Sequence, residues 1–487
     1  MTAEEIKKVY MNNEQLGEEE VRNVTHSVAW FKRTLEVLYL IPGAWEEFCQ
    51  DTEAFFDKYG IKNVDAEGIM QLYDEKTAKS LAGLSDDEQL KAVTYQAFRY
   101  RQYSLNKIAH RDKLLYTYNV PTNTTLKKWR ERQIERAKGV CGRGYSANVH
   151  VCVSYELTDG CSVGCPFCGV GAEKLKKVFT YDEGNAELFR ESLKVMHEII
   201  GDAAGRGAMY LENEPLDNRD YEKFLADFLD EFSILPQITT AVATRDIDRT
   251  RRLLLQLNSI KGGTHYRFSV KSVKEAEEIL GAFTPEELLR VELLPQYEEA
   301  PGFEGFAKAG RELERENKEP KEKASNEGKV IVPSICCVSG FVINFARKDV
   351  RFITDYPADE SHPNGEIILS QKSFNNAKDL KNIIESMINE HIVNSLPSDK
   401  VLKPYDYYDI KEVENNGMAI VTYSGYMRPI DGPLKGFSEV VKLLFEGKYT
   451  KKEIAEILYK TKGIDITETY FCLRTLFLNG IINEYEW

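Results

Sequence analysis

The sequence lacks an apolar run as long as a membrane span, and it lacks an apolar segment near its first residues. A spanning helix needs about 20 mostly apolar residues in a row, and a secretory signal needs an apolar core behind a basic start. The opening MTAEEIKKVYMNNEQ has neither feature. We therefore expect a cytoplasmic protein that has no membrane partner.

Basic residues are also in deficit. The 487 residues include 64 Lys and Arg against 78 Asp and Glu, which gives a formal net charge of −14. General nucleic-acid binders carry a basic excess, so we expect no nucleic-acid partner. Cysteine is scarce too, with nine residues. That number in a chain of this length excludes a disulfide framework and favours a reducing compartment.

The chain is longer than one ordinary domain, and its pattern changes along its length. Residues 1–145 have helical periodicity, which predicts helices at 18–40 and 44–59 and a third that starts at a capping-box sequence near Ser85. We interpret this region as a helical cap or a substrate-recruiting domain. Its last part, 124–145, carries seven basic residues against two acidic ones. This excess predicts either a solvated helix face with a linker or a track for an acidic peptide.

Strands and helices alternate from residue 146 onward. The predicted strands are 149–156, 207–212, 237–243, 264–270, 290–295 and 330–345, with helical patterns between them. Such alternation predicts an α/β fold with a parallel sheet, here curled toward a barrel. In folds of this class the chemistry lies at the carboxyl ends of the strands.

The most informative stretch, LTDGCSVGCPFCGVG at 157–171, follows the first of these strands. Cys161, Cys165 and Cys168 have the spacing C-x-x-x-C-x-x-C, and the glycines and the proline around them predict a tight loop. Iron–sulfur clusters are held by cysteine thiolates, and a cubane normally takes four. Three thiolates from one loop would leave a metal position open, which is typical of a catalytic site.

A zinc site is the alternative interpretation of these cysteines. Zinc in a structural site takes four ligands, and His150 or Cys152 on the preceding strand could supply the fourth. The chain has no second C-x-x-C pair that would complete a zinc ribbon.

The thiol loop at the end of a first strand resembles the signature of the radical S-adenosylmethionine (SAM) enzymes. The resemblance implies that Cys161, Cys165 and Cys168 hold a [4Fe–4S] cluster whose open iron binds SAM. It also implies an electron donor such as flavodoxin or ferredoxin. The implied fold is a partial (βα)6 TIM-like barrel over residues 146–330, with a barrel closure and a β-hairpin extension over 331–430.

The resemblance further implies SAM-binding residues at the ends of later strands. The superfamily usually has Gly-Gly-Glu after the second strand, whereas this chain has Glu-Asn-Glu at 212–214. Glu214 is the best match for the carboxylate that holds the SAM amino group, although an acidic turn that starts a helix explains it equally simply. Arg245 or Lys271 could pair with the SAM carboxylate, and Ser269 could bond the ribose. The other candidate cofactor contacts are Asn213, Gln296 and Phe167.

A second informative stretch lies at 330–366, where a strand with adjacent cysteines runs into a hairpin near 346–349. Together with the thiol loop it resembles radical SAM enzymes that modify ribosomally made peptides, and most of all the proteusin-type peptide epimerases. Peptide C-methyltransferases share a similar hairpin. For an epimerase the resemblance implies that a thiol returns a hydrogen atom to the peptide Cα, and Cys337 or Cys336 is the candidate donor. A buried structural pair is the alternative.

Residues 431–487 form a compact unit with three helical patterns and a terminal strand. This order resembles the small winged-helix modules that bind leader peptides of ribosomal precursors by adding a strand to a sheet edge. The expected partner is therefore a ribosomally synthesised precursor peptide. Two further functions stay open: a radical SAM methyltransferase or crosslinking enzyme, and a non-enzymatic, zinc-stabilised peptide-binding protein.

Overall fold

The computed structural model describes residues 17–113, 118–141, 151–258, 266–318, 334, 337–413, 417–422, 427–429 and 436–486. Within these residues the protein is a mixed α/β structure in which helices flank several small sheets. None of the helices in the described ranges is both long enough and apolar enough to cross a membrane.

The first part of the described chain is helical. α1 (Glu18–Leu40) confirms the predicted helix, because Val21, Val24, Val28 and Phe31 lie on one buried face. The remaining helices are α2 (Ala44–Gln50), α3 (Thr52–Tyr59), α4 (Ala66–Tyr73), α5 (Glu75–Ser80), α6 (Asp86–Ala92), α7 (Tyr95–Lys113) and α8 (Thr124–Cys141).

Two of the predicted helices are each divided into two in the structure, the first of them at a local capping signal. The helix expected at 44–59 breaks at Asp51, whose carboxylate accepts a hydrogen bond from the Ala54 N–H at 3.0 Å and so begins α3. Ser85 forms the expected capping box with Glu88 at the start of α6. That helix ends at Ala92, and α7 begins three residues later.

The helical region shares its core with the sheet rather than standing apart from it. The ammonium group of Lys32 in α1 donates to the backbone oxygens of Leu288 at 3.1 Å and Val291 at 2.9 Å. The hydroxyl of Tyr103 in α7 donates to the Leu289 oxygen at 2.6 Å. These hydrogen bonds join the helices to one edge of the sheet.

The central strands and helices alternate as the sequence predicts. They are β1 (Val151–Glu156), β2 (Thr158–Asp159), β3 (Lys177–Val178), α9 (Glu183–Ile200), α10 (Tyr221–Phe232), β4 (Ile238–Thr240), α11 (Ile247–Asn258), β5 (Tyr266–Val270), α12 (Val273–Ala282), β6 (Val291–Pro295) and α13 (Gly310–Lys318). Short 3₁₀ helices follow α9 at Gly201–Arg206 and precede α10 at Pro215–Asp217.

The third part of the chain adds β7 (Val338–Asn344), β8 (Asp349–Asp355), β9 (Glu366–Ser373), α14 (Ala377–His391), β10 (Asp409–Val413), β11 (Gly417–Val421) and β12 (Met427–Pro429). β7 and β8 form the expected hairpin, in which Asn344 pairs with Asp349. β10 and β11 form the second expected hairpin.

A single residue, Ala208, connects two groups of paired strands into one row. β7 pairs in parallel with β1, and β4, β5 and β6 are parallel neighbours. Ala208 forms parallel bridges to Ser154 of β1 and to Gln237 beside β4. The order is therefore β9–β8–β7–β1–Ala208–β4–β5–β6, parallel from β7 to β6. In the described residues this row does not close into a barrel.

Two predicted strands are shorter than expected for a common reason. Beyond Ala208, the N–H groups of Leu211 and Glu212 donate to the carboxylate of Glu156 instead of a neighbouring strand. Beyond β4, the Ala241 N–H donates to Glu214. Side-chain acceptors therefore end the regular pairing at the carboxyl edge of the sheet.

The basic stretch in α8 is not a solvated face, and the expectation of a peptide track is wrong for its central arginines. Arg132 pairs with Glu484 at 2.6 Å, and Arg136 pairs with Asp355 at 3.1 Å. Arg136 is fully buried, and Arg132 is 2% exposed. The exposed residues of this helix include Lys127, Lys128 and Glu131. The central arginines of α8 therefore join β8 and the end of the chain.

The C-terminal unit contains α15 (Phe437–Phe445), α16 (Lys451–Lys462) and α17 (Ile466–Leu478). Their buried apolar faces form a second core, separate from that of the sheet. In place of the predicted terminal strand, the described residues show an isolated bridge between Ile482 and Pro404.

We expect Arg136→Met to lower the free energy of unfolding by about 3–5 kcal/mol, since it leaves the buried carboxylate of Asp355 without its cation. Urea unfolding followed by circular dichroism measures the effect. Lys127→Met on the exposed face of the same helix is the matched control and should change stability by less than about 0.5 kcal/mol. Equal effects of the two variants would contradict a buried ion pair.

Candidate functional site

The thiol loop leaves β1 at the carboxyl edge of the sheet and is held by backbone hydrogen bonds. The Cys161 N–H donates to Glu173 at 2.9 Å, and the Leu175 N–H donates to Cys161 at 3.2 Å. Gly160 has a φ of +85°, and an added Cβ would lie 2.4 Å from the Lys174 oxygen. Glycine is therefore required where the chain enters the loop.

The three cysteines are free and partly buried, and the charges of Cys161 and Cys168 act on the thiol of Cys165. Burial, aided by the charges of Cys168 and Cys161, raises the pKa of the Cys165 thiol to about 11, although Lys271 and Arg311 oppose the change. Burial likewise raises the pKa of Cys161, which also lies in the field of Glu214. A bound cation would therefore be needed to hold these sulfurs as thiolates.

The donor set fits an iron–sulfur site in chemical type, because it consists of three free thiols from one loop. In the described part of the chain, no three His, Cys, Asp or Glu side chains are arranged to hold a metal ion. The thiols must therefore turn toward one another when a metal binds. Of the proposed fourth zinc ligands, Cys152 is buried with its thiol 3.8 Å from Asn119 Oδ1, and His150 lies outside the described residues.

The second informative stretch packs against the thiol loop. The Asn344 amide donates to the Thr158 oxygen at 2.9 Å, and Arg347 pairs with Asp159 at 3.2 Å. Gly171, at the end of the loop, leaves no room for a side chain because Asn364 Oδ1 would lie 2.6 Å from its Cβ. The two stretches are therefore neighbours in space.

Glu214 lies near Cys161 of the loop, but its carboxylate already accepts hydrogen bonds from the protein. It is 2% exposed and accepts hydrogen bonds from Leu216 N–H at 3.1 Å, Thr240 Oγ1 at 2.6 Å and Ala241 N–H at 2.8 Å. Burial raises its pKa. Glu214 also caps the 3₁₀ helix at Pro215–Asp217, which agrees with the simpler of its two interpretations.

Next to Glu214, the buried Oδ1 of Asn213 accepts no hydrogen bond from the residues that the structure describes. A buried acceptor without a donor is destabilising unless a ligand or water supplies one. Asn213 therefore offers the clearest free polar contact at this edge.

Arg245 is tied to the thiol loop through a residue that the sequence analysis did not select. Its guanidinium donates to Asp217 Oδ1 at 2.8 Å and to Ser162 Oγ at 2.9 Å. Asp217 in turn accepts from the Ser162 N–H at 2.8 Å. This network fixes the loop segment between Cys161 and Cys165. It also occupies the guanidinium of Arg245, which was expected to pair with the SAM carboxylate.

The other predicted cofactor contacts lie at three different places along the same edge. The Lys271 ammonium donates to the Ala241 oxygen and pairs with Glu275 at 2.8 Å. Phe167 stacks on Phe306 with ring centroids 4.5 Å apart. The Gln296 N–H donates to Val270 at 2.7 Å, and Ser269 is half-buried on β5. The structure thus brings Lys271 near Cys165 and leaves Ser269 and Gln296 on adjacent strands.

The predicted hydrogen donor can be located for one of the two cysteines. Cys337 directly precedes β7, and its carbonyl accepts from the Val151 N–H at 2.8 Å. Burial raises the pKa of its thiol, and the charge of Arg267 on β5 opposes the rise. Cys336 lies outside the described residues.

A buried carboxylate cluster at the same edge was missed by the sequence analysis. Arg351 on β8 pairs with Glu366 at 3.0 Å and with Glu212, and its Nε is buried without a partner. Beside this pair lies Glu156, which is fully buried and accepts from Ser154 Oγ at 2.5 Å. The sequence did contain a signal for this cluster: charged residues occur within the apolar strands VCVSYE and VRFITD. A buried charge implies a partner of opposite charge or a hydrogen-bond partner.

The electrostatics of this cluster favour protonated carboxyl groups. Burial raises the pKa of Glu156 to about 7, and the charge of Glu212 adds to the rise. Burial also raises the pKa of Glu366 to about 7, although Arg351 opposes the change. Near neutral pH the cluster therefore holds exchangeable protons beside the thiol loop.

Comparison with known proteins gives one informative relative. An uncharacterized protein, y4wI, from Sinorhizobium fredii (strain NBRC 101917 / NGR234) is 36% identical over 401 residues, which are 79% of this chain and 75% of the relative. The chain belongs to the y4wI family. No family model matches it, and no solved structure does. Because that relative is described only as uncharacterized, membership of the y4wI family assigns no activity.

We expect the Glu366→Gln variant to have a larger free energy of unfolding than the unchanged protein at pH 8, by about 1–3 kcal/mol. The folded-state pKa of Glu366 is raised from 4.5 to about 7, so folding favours its protonated form and stability is lost as pH rises through that window. Glutamine mimics the protonated form at every pH.

Urea unfolding at pH 5 and pH 8 measures the difference, which should shrink toward zero at pH 5. The exposed Glu360→Gln variant is the matched control and should show no such pH dependence. A Glu366→Gln variant that gains nothing at pH 8 would contradict the raised pKa.

Proposed function

We propose that the chain is a radical SAM enzyme that epimerises residues of a ribosomally synthesised peptide. The observation that carries the proposal is the thiol loop: three free thiols on one glycine-rich loop at the carboxyl edge of a parallel row of strands, with Cys165 in the field of the other two. Cys161, Cys165 and Cys168 would hold a [4Fe–4S] cluster. When bound, the cluster and SAM supply a 5′-deoxyadenosyl radical that can take hydrogen from an unactivated C–H bond.

The parallel row of strands supports a partial barrel as the finer fold. From β7 to β6 the row contains six parallel positions, if Ala208 is counted as a strand. A curved sheet of this kind would place the thiol loop, Asn213 and Lys271 around one opening at the carboxyl edge.

Residues of the chain itself would bind and orient SAM at that opening. Asn213 Oδ1 needs a donor, which an ammonium group supplies. Glu214 would act by fixing the backbone at 216 and 241 and by its negative field, since its carboxylate already accepts three hydrogen bonds. Lys271 offers a cation for a carboxylate.

Cys337 would return a hydrogen atom to the peptide Cα radical on the face opposite to abstraction. A hydrogen-atom donor must be a thiol and not a thiolate, and burial favours the thiol form of Cys337. The resulting thiyl radical needs one electron, which an external donor such as flavodoxin or ferredoxin would supply in the cytoplasm, and one proton, which solvent would supply. The unit at 431–487 is proposed to bind the leader segment of the precursor.

A second candidate function is methyl transfer or crosslinking by the same chemistry, since the hairpin of β7 and β8 is not specific to epimerases. We prefer epimerisation because Cys337 offers a protonated thiol. The zinc-stabilised alternative is less supported, because Cys152 has its thiol against Asn119 instead of the loop.

Anaerobically reconstituted protein should contain about four iron atoms per chain, absorb near 400 nm and cleave SAM to 5′-deoxyadenosine once reduced. The Cys165→Ala variant should lose all three properties. Cys49→Ala, which changes an exposed free cysteine outside the loop, is the matched control. Colourless protein with stoichiometric zinc would contradict the proposal.

In deuterium oxide with the precursor peptide, the enzyme should add one mass unit at each epimerised residue, because the thiol hydrogen exchanges with solvent. Cys337→Ala should keep SAM cleavage and lose the mass shift and the D-residues, as measured by mass spectrometry and chiral amino-acid analysis. A gain of 14 mass units would show methylation instead. If Cys337→Ala still forms D-residues, Cys337 is not the donor.

A further inference from the structure

Arg311, at the start of α13, reaches into the thiol loop with both its backbone and its side chain. Its N–H donates to the Cys168 oxygen at 3.0 Å, and its Nε donates to the Cys165 oxygen at 2.7 Å. Its Nη1 donates to the Ala172 oxygen. One residue thus binds three carbonyl groups along the loop.

The same carbonyls already accept hydrogen bonds within the loop. The Cys168 N–H donates to the Cys165 oxygen at 3.3 Å, and the Gly171 N–H donates to the Cys168 oxygen at 3.0 Å. Arg311 therefore uses the second lone pair of the Cys165 and Cys168 carbonyls. Because the guanidinium is planar, it fixes the directions of the Cys165 and Ala172 carbonyls relative to one another, while the Arg311 N–H holds the Cys168 carbonyl.

The residue before it makes this approach possible. Gly310 has a φ of +57°, and an added Cβ would lie 2.4 Å from the Cys168 oxygen and 2.6 Å from the Gly171 nitrogen. Its N–H donates to the Pro363 oxygen at 2.7 Å. Glycine at 310 thus lets α13 contact the loop and joins it to the stretch at 363–364.

Arg311 also brings a positive charge to a loop of thiols. The strands at this edge supply another cation, Lys271, and the acidic groups Glu214 and Asp217 lie on the side of Cys161. A cation beside sulfur ligands stabilises their negative charge and makes a bound cluster easier to reduce.

We infer that Arg311 is the positioning residue of the thiol loop: it preorganises the three cysteines and raises the reduction potential of the cluster they hold. The hydrogen bonds from Arg311 to the loop carbonyls, which we call the clamp, are a property of the protein itself. The effect on the reduction potential of the cluster rests on the proposed function. Among the described residues, the hydrogen bonds of Arg311 go to loop carbonyls, so its role is that of a positioning residue and not a catalytic one.

The test compares Arg311→Met and Arg311→Lys with Arg315→Met, one turn later in α13. Arg315 pairs with Glu312 at 2.7 Å and donates to none of these carbonyls, so its variant is the matched control. Circular dichroism first establishes that each variant is folded, and Arg311→Gln replaces any that is not. Hydrogen exchange by mass spectrometry on metal-free protein then measures the peptide spanning 161–172.

We expect exchange in this peptide to speed up about tenfold in both Arg311 variants and to stay unchanged in Arg315→Met, because hydrogen bonds to a charged donor are lost. Unchanged exchange in Arg311→Met would overturn the clamp. This readout needs no cluster, so it decides the clamp even if the protein assembles none and the proposed function fails.

In reconstituted protein, iron should leave Arg311→Met about tenfold faster in the presence of a chelator, and the potential measured by EPR-monitored titration should become more negative. Arg311→Lys keeps the charge without the planar fork, so it should keep the potential and still lose iron faster. A normal potential and normal iron release in Arg311→Met would overturn the role toward the cluster.

Discussion

Buried carboxylates hold the irregular backbone at the carboxyl edge of the sheet. Strand pairing ends there, and the freed N–H groups of the loops need acceptors that water does not reach. Glu156 accepts from Leu211 and Glu212, and Glu214 accepts from Leu216 and Ala241. Asp217 does the same for Ser162 in the thiol loop. The shape of the candidate site follows from these acceptors, and Glu214 is therefore first a structural group and only through its field a ligand-binding one.

Arginine also contributes cations to this part of the structure, although the chain is acidic overall. Arg351, Arg245 and Arg311 each meet two or more oxygens at fixed angles, which a planar fork can do and a lysine ammonium cannot. Arg136 does the same between α8 and β8. The negative net charge thus describes the solvated surface, whereas the interior is organised around paired guanidinium groups. For that reason a count of charges along α8 misled the sequence analysis.

Features encoded over a few residues could be predicted from the sequence. The ends of α1, the capping box at Ser85, the hairpin after Asn344 and the loop of three cysteines all depend on neighbours within about ten residues. Features that depend on partners far away in the sequence could not be predicted. Arg311 meets Cys165 across 146 residues, and Arg132 meets Glu484 across 352. The sequence shows a charge at each position, but only the fold shows which oxygen it will face. The barrel expectation falls between the two cases, because alternation predicts parallel strands and does not determine whether the row closes.

The loop cysteines follow the carboxyl end of β1, whereas Cys337 precedes the amino end of β7, the strand parallel to it. A thiol that binds metal must lose its proton, and burial opposes this loss at Cys161 and Cys165, while the cations Lys271 and Arg311 favour it at Cys165. A thiol that gives a hydrogen atom must keep its proton until the reaction. Burial favours that state of Cys337, and the charge of Arg267 opposes it. Under the proposed function, the loop thiols would lose their protons only when a cation binds beside them, whereas Cys337 would keep its proton for hydrogen donation.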